Sequence, residues 1–163
     1  MLHHDDLEIG ATVTLGTRTI TKDEIIAFAR AYDPQPIHID EAAAKASIVG
    51  GLCASGFHTC AFLMRSLVDD MFANATSLGS PGVDEVKWMK PVRPGDRLTA
   101  RYTCTGKRAL GSRPGVGVSQ ITFELMNQAG DSVMSWASNQ FLRMRSGATT
   151  LPAAKPAASS KAA

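Results

Sequence analysis

The chain has 163 residues, enough for one domain with a sizeable hydrophobic core and too few to predict two domains. Its formal charge is +2, and its Lys and Arg residues are scattered without interleaved aromatic residues, which argues against a nucleic-acid partner. The three cysteines are odd in number and lack CxxC spacing, which disfavours a disulfide scaffold or a zinc site and favours a reducing cytoplasm.

The N-terminal segment carries polar residues at positions 3–6 before any apolar segment, unlike a secretory signal, and we expect His3 and His4 to be solvated there. The longest stretch without Lys, Arg, Asp or Glu covers residues 46–64, and several polar side chains interrupt it. This stretch predicts a buried helix, and we expect no membrane partner.

The first predicted elements are a strand and a helix. Alternating apolar and polar residues over 12–20 predict the strand. Thr21 and Glu24 form a capping box that predicts the start of the helix. Pro34 ends it, because the residue before a proline avoids helical geometry.

A long helix is predicted over residues 55–72, after a short helix over 41–47 that Asp40 can cap. The first half of the long helix is apolar on nearly every side, so we expect it at the centre of the fold. Asp69 and Asp70, near its end, are expected to be solvated.

Strand-like runs separated by turn residues follow the long helix and favour an antiparallel meander. They cover residues 83–90, 97–107, 115–127 and 132–145. The parity of the apolar residues changes near Ser119-Gln120, which predicts a β-bulge there. A central apolar helix followed by long strands predicts an α+β fold, with an antiparallel sheet wrapped around the helix.

The predicted domain covers residues 1–146. Residues 147–163 are rich in Ala and Pro without periodicity, which predicts a disordered tail. Long edge strands in a single curled sheet tend to be paired or covered, so dimerisation that extends the sheet is expected.

The candidate site lies between two predicted helices. Asp33 and His38 are five positions apart, and a fully extended chain would separate them by about 17 Å, so the segment must turn if both are to hold one water. Pro34 and Pro36 stiffen it, which suits groups that must be held in a productive geometry. The alternative is that Asp33 only initiates a turn and that His38 is a surface residue before the Asp40 cap.

Other candidate residues carry weaker signals. A lone histidine inside an apolar helix, as at His58, is typical of a core residue whose ring nitrogens have hydrogen-bond partners. Ser55-Gly56 does not lie in the G-x-S-x-G pattern of a nucleophile elbow, and no third residue completes a triad in the sequence.

This segment resembles the MaoC-like acyl dehydratases, a hot-dog-fold family that includes the (R)-specific enoyl-CoA hydratases. The family motif, Asp-x-Asn-Pro-x-His-x-Asp followed by a short Ala-containing helix and His-Gly, corresponds here to Asp-Pro-Gln-Pro-Ile-His-Ile-Asp over residues 33–40 and then Ser55-Gly56. Gln35 thus replaces the usual Asn, and Ser55 replaces the usual His. Residues 92–96 resemble the turn that opens a core strand in many hot-dog domains.

The resemblance implies a hydro-lyase that adds water to, or removes it from, a trans-2-enoyl thioester. Asp33 and His38 would hold the water and act as catalytic groups. The backbone N–H of Gly56, next to Ser55 in an oxyanion and substrate-binding segment, would stabilise the developing enolate.

Further expectations follow from the same resemblance. Gln35 and Pro36 would support the active loop, and no metal or redox cofactor would be required. The substrate would be an acyl thioester of coenzyme A or of a carrier protein, as in fatty acid metabolism, and its acyl chain would enter an apolar tunnel beside the helix. The protein would be a homodimer or higher homo-oligomer.

Two alternatives use the same fold. Gln35 and Ser55 depart from the family motif, which leaves room for a non-catalytic acyl-thioester-binding module. The other alternative is an acyl-CoA thioesterase, because hot-dog domains host both chemistries and fold does not fix function.

Overall fold

The computed structural model describes residues 1–145, so the predicted tail and its boundary at residue 146 lie outside the described residues. The helices are α1 (Lys22–Tyr32), α2 (Pro36–Ile39), α3 (Glu41–Ala46) and α4 (Gly56–Asp70), with 3-10 turns at His4–Asp6 and Phe72–Asn74. The strands are β1 (Thr12–Thr19), β2 (Ser77–Gly79), β3 (Val83–Trp88), β4 (Arg97–Ala109), β5 (Val116–Met126) and β6 (Ser132–Arg143).

The strands form one antiparallel sheet in the order β1-β4-β5-β6-β2, with β3 paired to β6 beside β2. The predicted meander holds for β4, β5 and β6 only. β3 does not pair with β4, the next strand in sequence. The connection over residues 89–96 contains two prolines and is not a hairpin turn. It leads from β3, on the side of β6 away from β5, to β4 on the other side of β5.

The predicted bulge lies in β4 and not in β5. β4 changes register between Cys104 and Gly106, opposite Gln120 and Ile121, which leaves Thr105 as the extra residue. β5 pairs with β6 without a break over residues 116–125. The prediction of a bulge in β5 is therefore wrong. The apolar residues change from even to odd positions because both faces of the strand are buried over residues 116–119, and no residue is inserted.

Helix α4 lies at the centre of the fold, as predicted. Leu63 and Leu67 are almost completely buried and belong to the same core cluster as Phe123 and Leu125 of β5. Full burial of a leucine side chain contributes about 1.5–3 kcal/mol, so this face of α4 holds the helix against the sheet. No helix within residues 1–145 is long and apolar enough to cross a membrane.

The end of α4 is tied to β1 by its two acidic residues, which were expected to be solvated. The Asp69 carboxylate accepts from Arg18 at 2.5 Å and from Arg65 at 2.9 Å. Asp70 accepts from the backbone N–H of Gly16 at 3.1 Å, where β1 shifts its register against β4. These contacts use the acids to fix the helix end against the sheet.

His4 is completely buried, so the expectation that it is solvated is wrong. Its Nδ1 lies 2.9 Å from the Ser119 hydroxyl, and a Cβ added to Gly117 would overlap the imidazole ring. Its Nε2 is buried without a hydrogen-bond partner in the described part of the chain. Burial, and then the charge of Lys107, lower the pKa of His4 below the usual 6.5.

The buried His4 predicts a loss of stability in weak acid. Between the lowered pKa of folded His4 and the usual value of about 6.5, the unfolded chain binds a proton that the folded chain does not. The free energy of unfolding therefore loses nothing to His4 above about pH 6.5. It decreases as the pH falls from about 6.5 through the lowered pKa of folded His4. Urea unfolding between about pH 8 and about pH 5 should show a smaller pH dependence in His4→Gln than in the wild type. His3→Gln serves as the control, and an unchanged slope in His4→Gln would contradict the prediction.

Candidate active site

The predicted site segment turns back on itself through a one-turn helix. α1 ends at Tyr32 and Asp33 is its C-cap residue, while α2 begins with Pro36, whose fixed φ suits a first helical position. This turn brings the Asp33 carboxylate Oδ2 within 3.5 Å of the His38 Nε2. His38 is only 6% exposed, which contradicts the alternative that it is a surface residue.

Two side chains hold the Asp33 carboxylate. The Ser55 hydroxyl donates to Oδ2 at 2.6 Å, and the Gln35 side-chain amide donates to Oδ1 at 2.7 Å. The hydrogen bond from Ser55, then that from Gln35 and last the charge of His38 lower the pKa of Asp33 below its usual range. Asp33 is therefore a carboxylate at neutral pH, and it can only accept hydrogen bonds.

Removing the Ser55 hydroxyl should raise the pKa of Asp33. Ser55→Ala deletes the hydrogen bond that contributes most to the lowered value, while Gln35 still donates to the other oxygen. Carboxyl carbon NMR of a ¹³C-labelled protein should show Asp33 titrating at higher pH than in the wild type. Ser80→Ala, in an exposed turn, should leave that titration unchanged, and so would Ser55→Ala if Ser55 had no such role.

The His38 ring is oriented by a backbone carbonyl. Its Nδ1 lies 2.8 Å from the oxygen of Cys53, and a carbonyl oxygen can only accept, so Nδ1 carries the hydrogen. In the neutral ring, Nε2 then keeps its lone pair on the side that faces Asp33. The gap between the two side chains is thus bordered by two hydrogen-bond acceptors.

The first turn of α4 lies next to this pair. Ser55 is the N-cap residue of α4, and Gly56 is its first helical residue, whose N–H has no acceptor inside the helix. The Trp88 indole N–H donates to the Gly56 carbonyl at 2.9 Å. A Cβ added to Gly56 would lie 2.7 Å from the Trp88 Cε2, so any larger residue would require this ring to move.

A cavity of about 250 Å³ opens beside these residues. Its wall includes Ile37, His38, Cys53, Gly56, Thr59 and Trp88. Asp33 is not part of the wall among the described residues, so a water shared by the two side chains would sit at the His38 end of the cavity.

Some residues around the site were not predicted, because their roles depend on contacts between distant segments. The Cys53 carbonyl and Trp88 have no sequence signature, since one is a backbone atom and the other ends an ordinary strand.

His58 is buried in the core as predicted, stacked on Phe28 with ring centroids 4.6 Å apart. The prediction that the His58 ring nitrogens have hydrogen-bond partners is wrong, because its Nδ1 is buried without a partner within the described residues.

In residues 1–145, no three His, Cys, Asp or Glu side chains lie close enough together to hold a metal ion.

Comparison with known proteins shows which family the chain is similar to. A family model described as "MaoC like domain" matches residues 6–123. The uncharacterized protein YdeM of Bacillus subtilis is 27% identical over 124 residues, which cover 76% of this chain and 86% of that protein. An (R)-specific enoyl-CoA hydratase of Rhodospirillum rubrum is 30% identical over 112 residues, which cover 65% of this chain and 72% of that protein. Two other curated relatives are longer, and the chain spans only 31% and 24% of them.

A solved structure is similar to this chain in fold. The crystal structure of a MaoC-like dehydratase from Rhodospirillum rubrum is similar with a TM-score of 0.83 and 35% identity, over 89% of this chain and 99% of that one. The likeness confirms the predicted hot-dog fold, an antiparallel sheet around a central helix.

Proposed function

The chain belongs to the MaoC-like domain family, and we propose that it is a hydro-lyase that adds water to, or removes it from, a trans-2-enoyl thioester. The observation that carries this proposal is the 3.5 Å separation of Asp33 Oδ2 and His38 Nε2 beside the N-terminal turn of α4. The relative named an (R)-specific enoyl-CoA hydratase supports coenzyme A as the carrier. We further propose fatty acid metabolism as the setting.

Two acceptors can orient one water for attack. The water would donate one O–H to the Asp33 carboxylate and the other to the His38 Nε2, which leaves its oxygen lone pairs free for carbon. As that oxygen bonds to C3 of the enoyl group, one of the two side chains takes its proton. The same proton is then returned to C2, so the elements of water are added across the double bond.

The Gly56 N–H supplies the second requirement of this reaction. Negative charge moves to the thioester oxygen when C3 is attacked, and a free N–H at a helix N-terminus stabilises such charge. Glycine at this position also leaves room for the Trp88 ring, which lies where a Cβ would be. No step of this mechanism requires a metal or a redox cofactor.

Turnover of enoyl thioesters tests the proposal. Purified protein should remove the conjugated-thioester absorbance of crotonyl-CoA or of a longer trans-2-enoyl-CoA without releasing a free thiol. Release of free thiol from saturated acyl-CoA would instead indicate a thioesterase. Tight binding of these compounds without any turnover would indicate a non-catalytic module, and either result would reject the hydro-lyase.

We also propose that the protein is a homodimer. An exposed apolar surface, here called the α4–β3 patch, consists of Phe57, Met64 and Val68 on one side of α4 with Val83 and Trp88 on β3. Met64 and Val83 line a common depression, which shows that the two parts are contiguous. Within residues 1–145, β3 pairs only with β6. A second copy would cover the patch and the free edge of β3 together.

A charge in the α4–β3 patch should separate the copies. Val68→Glu places a carboxylate on a side chain that is exposed in the single chain, so folding should be retained while dimerisation is lost. Light scattering during size-exclusion chromatography should show a dimer for the wild type and a monomer for the variant. Ala129→Glu, in a turn away from the patch, should remain dimeric, and a dimeric Val68→Glu would contradict the proposed interface.

The three cysteines of residues 1–145 are unpaired, which supports the expectation that the protein works in a reducing cytoplasm.

A further inference from the structure

Arg93 directs its guanidinium against a neighbouring loop. The group donates to the main-chain carbonyls of Val49, Gly51 and Leu52, the last at 3.2 Å. These carbonyls belong to residues 47–55, the segment that joins α3 to α4. A planar guanidinium with five donors can gather several carbonyls in a fixed arrangement, which a lysine ammonium cannot reproduce.

The loop that Arg93 holds leads directly to the carbonyl that orients His38. The next residue after Leu52 is Cys53, whose oxygen lies 2.8 Å from the His38 Nδ1. After Leu52 the segment is attached by Cys53 N–H to the Ile37 carbonyl at 3.3 Å, by Ala54 N–H to the Val92 carbonyl at 2.9 Å and by the Ser55 hydroxyl to Asp33 at 2.6 Å. The Cys53 thiol adds a longer contact to the Ile37 carbonyl at 4.0 Å. Arg93 is therefore the side chain that secures the loop immediately before the contact with the imidazole.

The position of Arg93 is itself fixed by a turn. Gly95 has a φ of +86°, a conformation that favours glycine, and the Asp96 N–H donates to the Arg93 carbonyl at 3.1 Å. The buried Asp96 carboxylate accepts from the Arg93 backbone N–H at 2.7 Å. The guanidinium thus extends from a rigid base toward the loop.

We propose that Arg93 is a positioning residue for the proposed hydration reaction. By gathering three carbonyls, it places the Cys53 oxygen where that oxygen selects the Nδ1–H form of His38. The Nε2 lone pair is then available to the water. Arg93 touches neither water nor substrate in this role. Its kinetic effect rests on the proposed function, whereas its effect on His38 rests only on the hydrogen bonds.

The kinetic test compares Arg93→Ala with Arg97→Ala, an exposed arginine at the start of β4. We expect kcat and kcat/KM of Arg93→Ala to fall together by about 10²-fold with KM nearly unchanged, because a misplaced catalytic group slows the chemical step. Guanidinium chloride, at concentrations too low to unfold the protein, should restore part of the activity of Arg93→Ala and none of that of Asp33→Asn. Wild-type kcat in Arg93→Ala would overturn the proposal.

The second test needs no turnover. ¹⁵N NMR of labelled imidazole should show His38 with its hydrogen on Nδ1 in the wild type and in Arg97→Ala, and a mixture of both forms in Arg93→Ala. If no enoyl thioester is turned over by the wild type, the proposed function fails, yet this measurement still decides the role of Arg93. An unchanged His38 spectrum in Arg93→Ala would overturn it.

Discussion

Replacing Asp33 by Asn is expected to lower kcat/KM for an enoyl thioester by about 10²–10⁴-fold, the contribution of a positioned acid or base. The amide has nearly the shape of the carboxylate but carries no charge, and an NH2 group that only donates replaces one of the two accepting oxygens. It can no longer accept from Ser55, Gln35 and the water as the carboxylate does. The initial rate of loss of enoyl-thioester absorbance measures the effect.

The matched control is Asp23→Asn, an exposed acid in the first turn of the same helix. Far-UV circular dichroism and the unfolding midpoint of Asp33→Asn should show that the fold is kept. A folded Asp33→Asn protein with wild-type kcat/KM would remove Asp33 from the reaction.

Replacing Gly56 by Ala is expected to lower kcat/KM by about 10²–10³-fold, the effect of impairing one oxyanion donor. Alanine favours a helix over glycine, so the substitution should not weaken α4 by itself. The added methyl would lie 2.7 Å from the Trp88 Cε2, so the exposed Trp88 ring, which lines the same cavity as Gly56, would have to move. The loss should therefore appear in the rate and not in the helix content.

Gly111→Ala provides the matched control, because a Cβ there would meet nothing within 4 Å. This variant should keep the wild-type rate. A Gly56→Ala protein that turns over enoyl thioesters as fast as the wild type would show that the thioester does not use this helix start.

The parts of the fold that sequence predicts are those fixed by neighbouring residues. The capping box at Thr21 is present, with Glu24 accepting from the Thr21 N–H at 2.7 Å. Asp40 caps α3 through the N–H groups of Ala42 and Ala43, as expected. Such contacts span three residues at most, so local chemistry is enough to predict them.

Contacts between distant segments could not be predicted in this way. The partner of His4 is Ser119, 115 positions away, and nothing near residue 4 indicates that a strand will cover it. The same applies to Trp88, whose indole reaches Gly56 across 32 positions. Within the site, the sequence identifies the acid and the imidazole. The carbonyl that fixes the imidazole has no residue type of its own, and only the folded chain reveals it.

The most direct test of water addition by Asp33 and His38 is product analysis after incubation of a trans-2-enoyl-CoA in ¹⁸O-labelled water. We expect one ¹⁸O atom in a C3 hydroxyl group of an intact thioester, formed by the wild type and almost absent with Asp33→Asn or His38→Gln. Heavy oxygen in a free carboxylate, or equal labelling by the wild type and both variants, would contradict that chemistry.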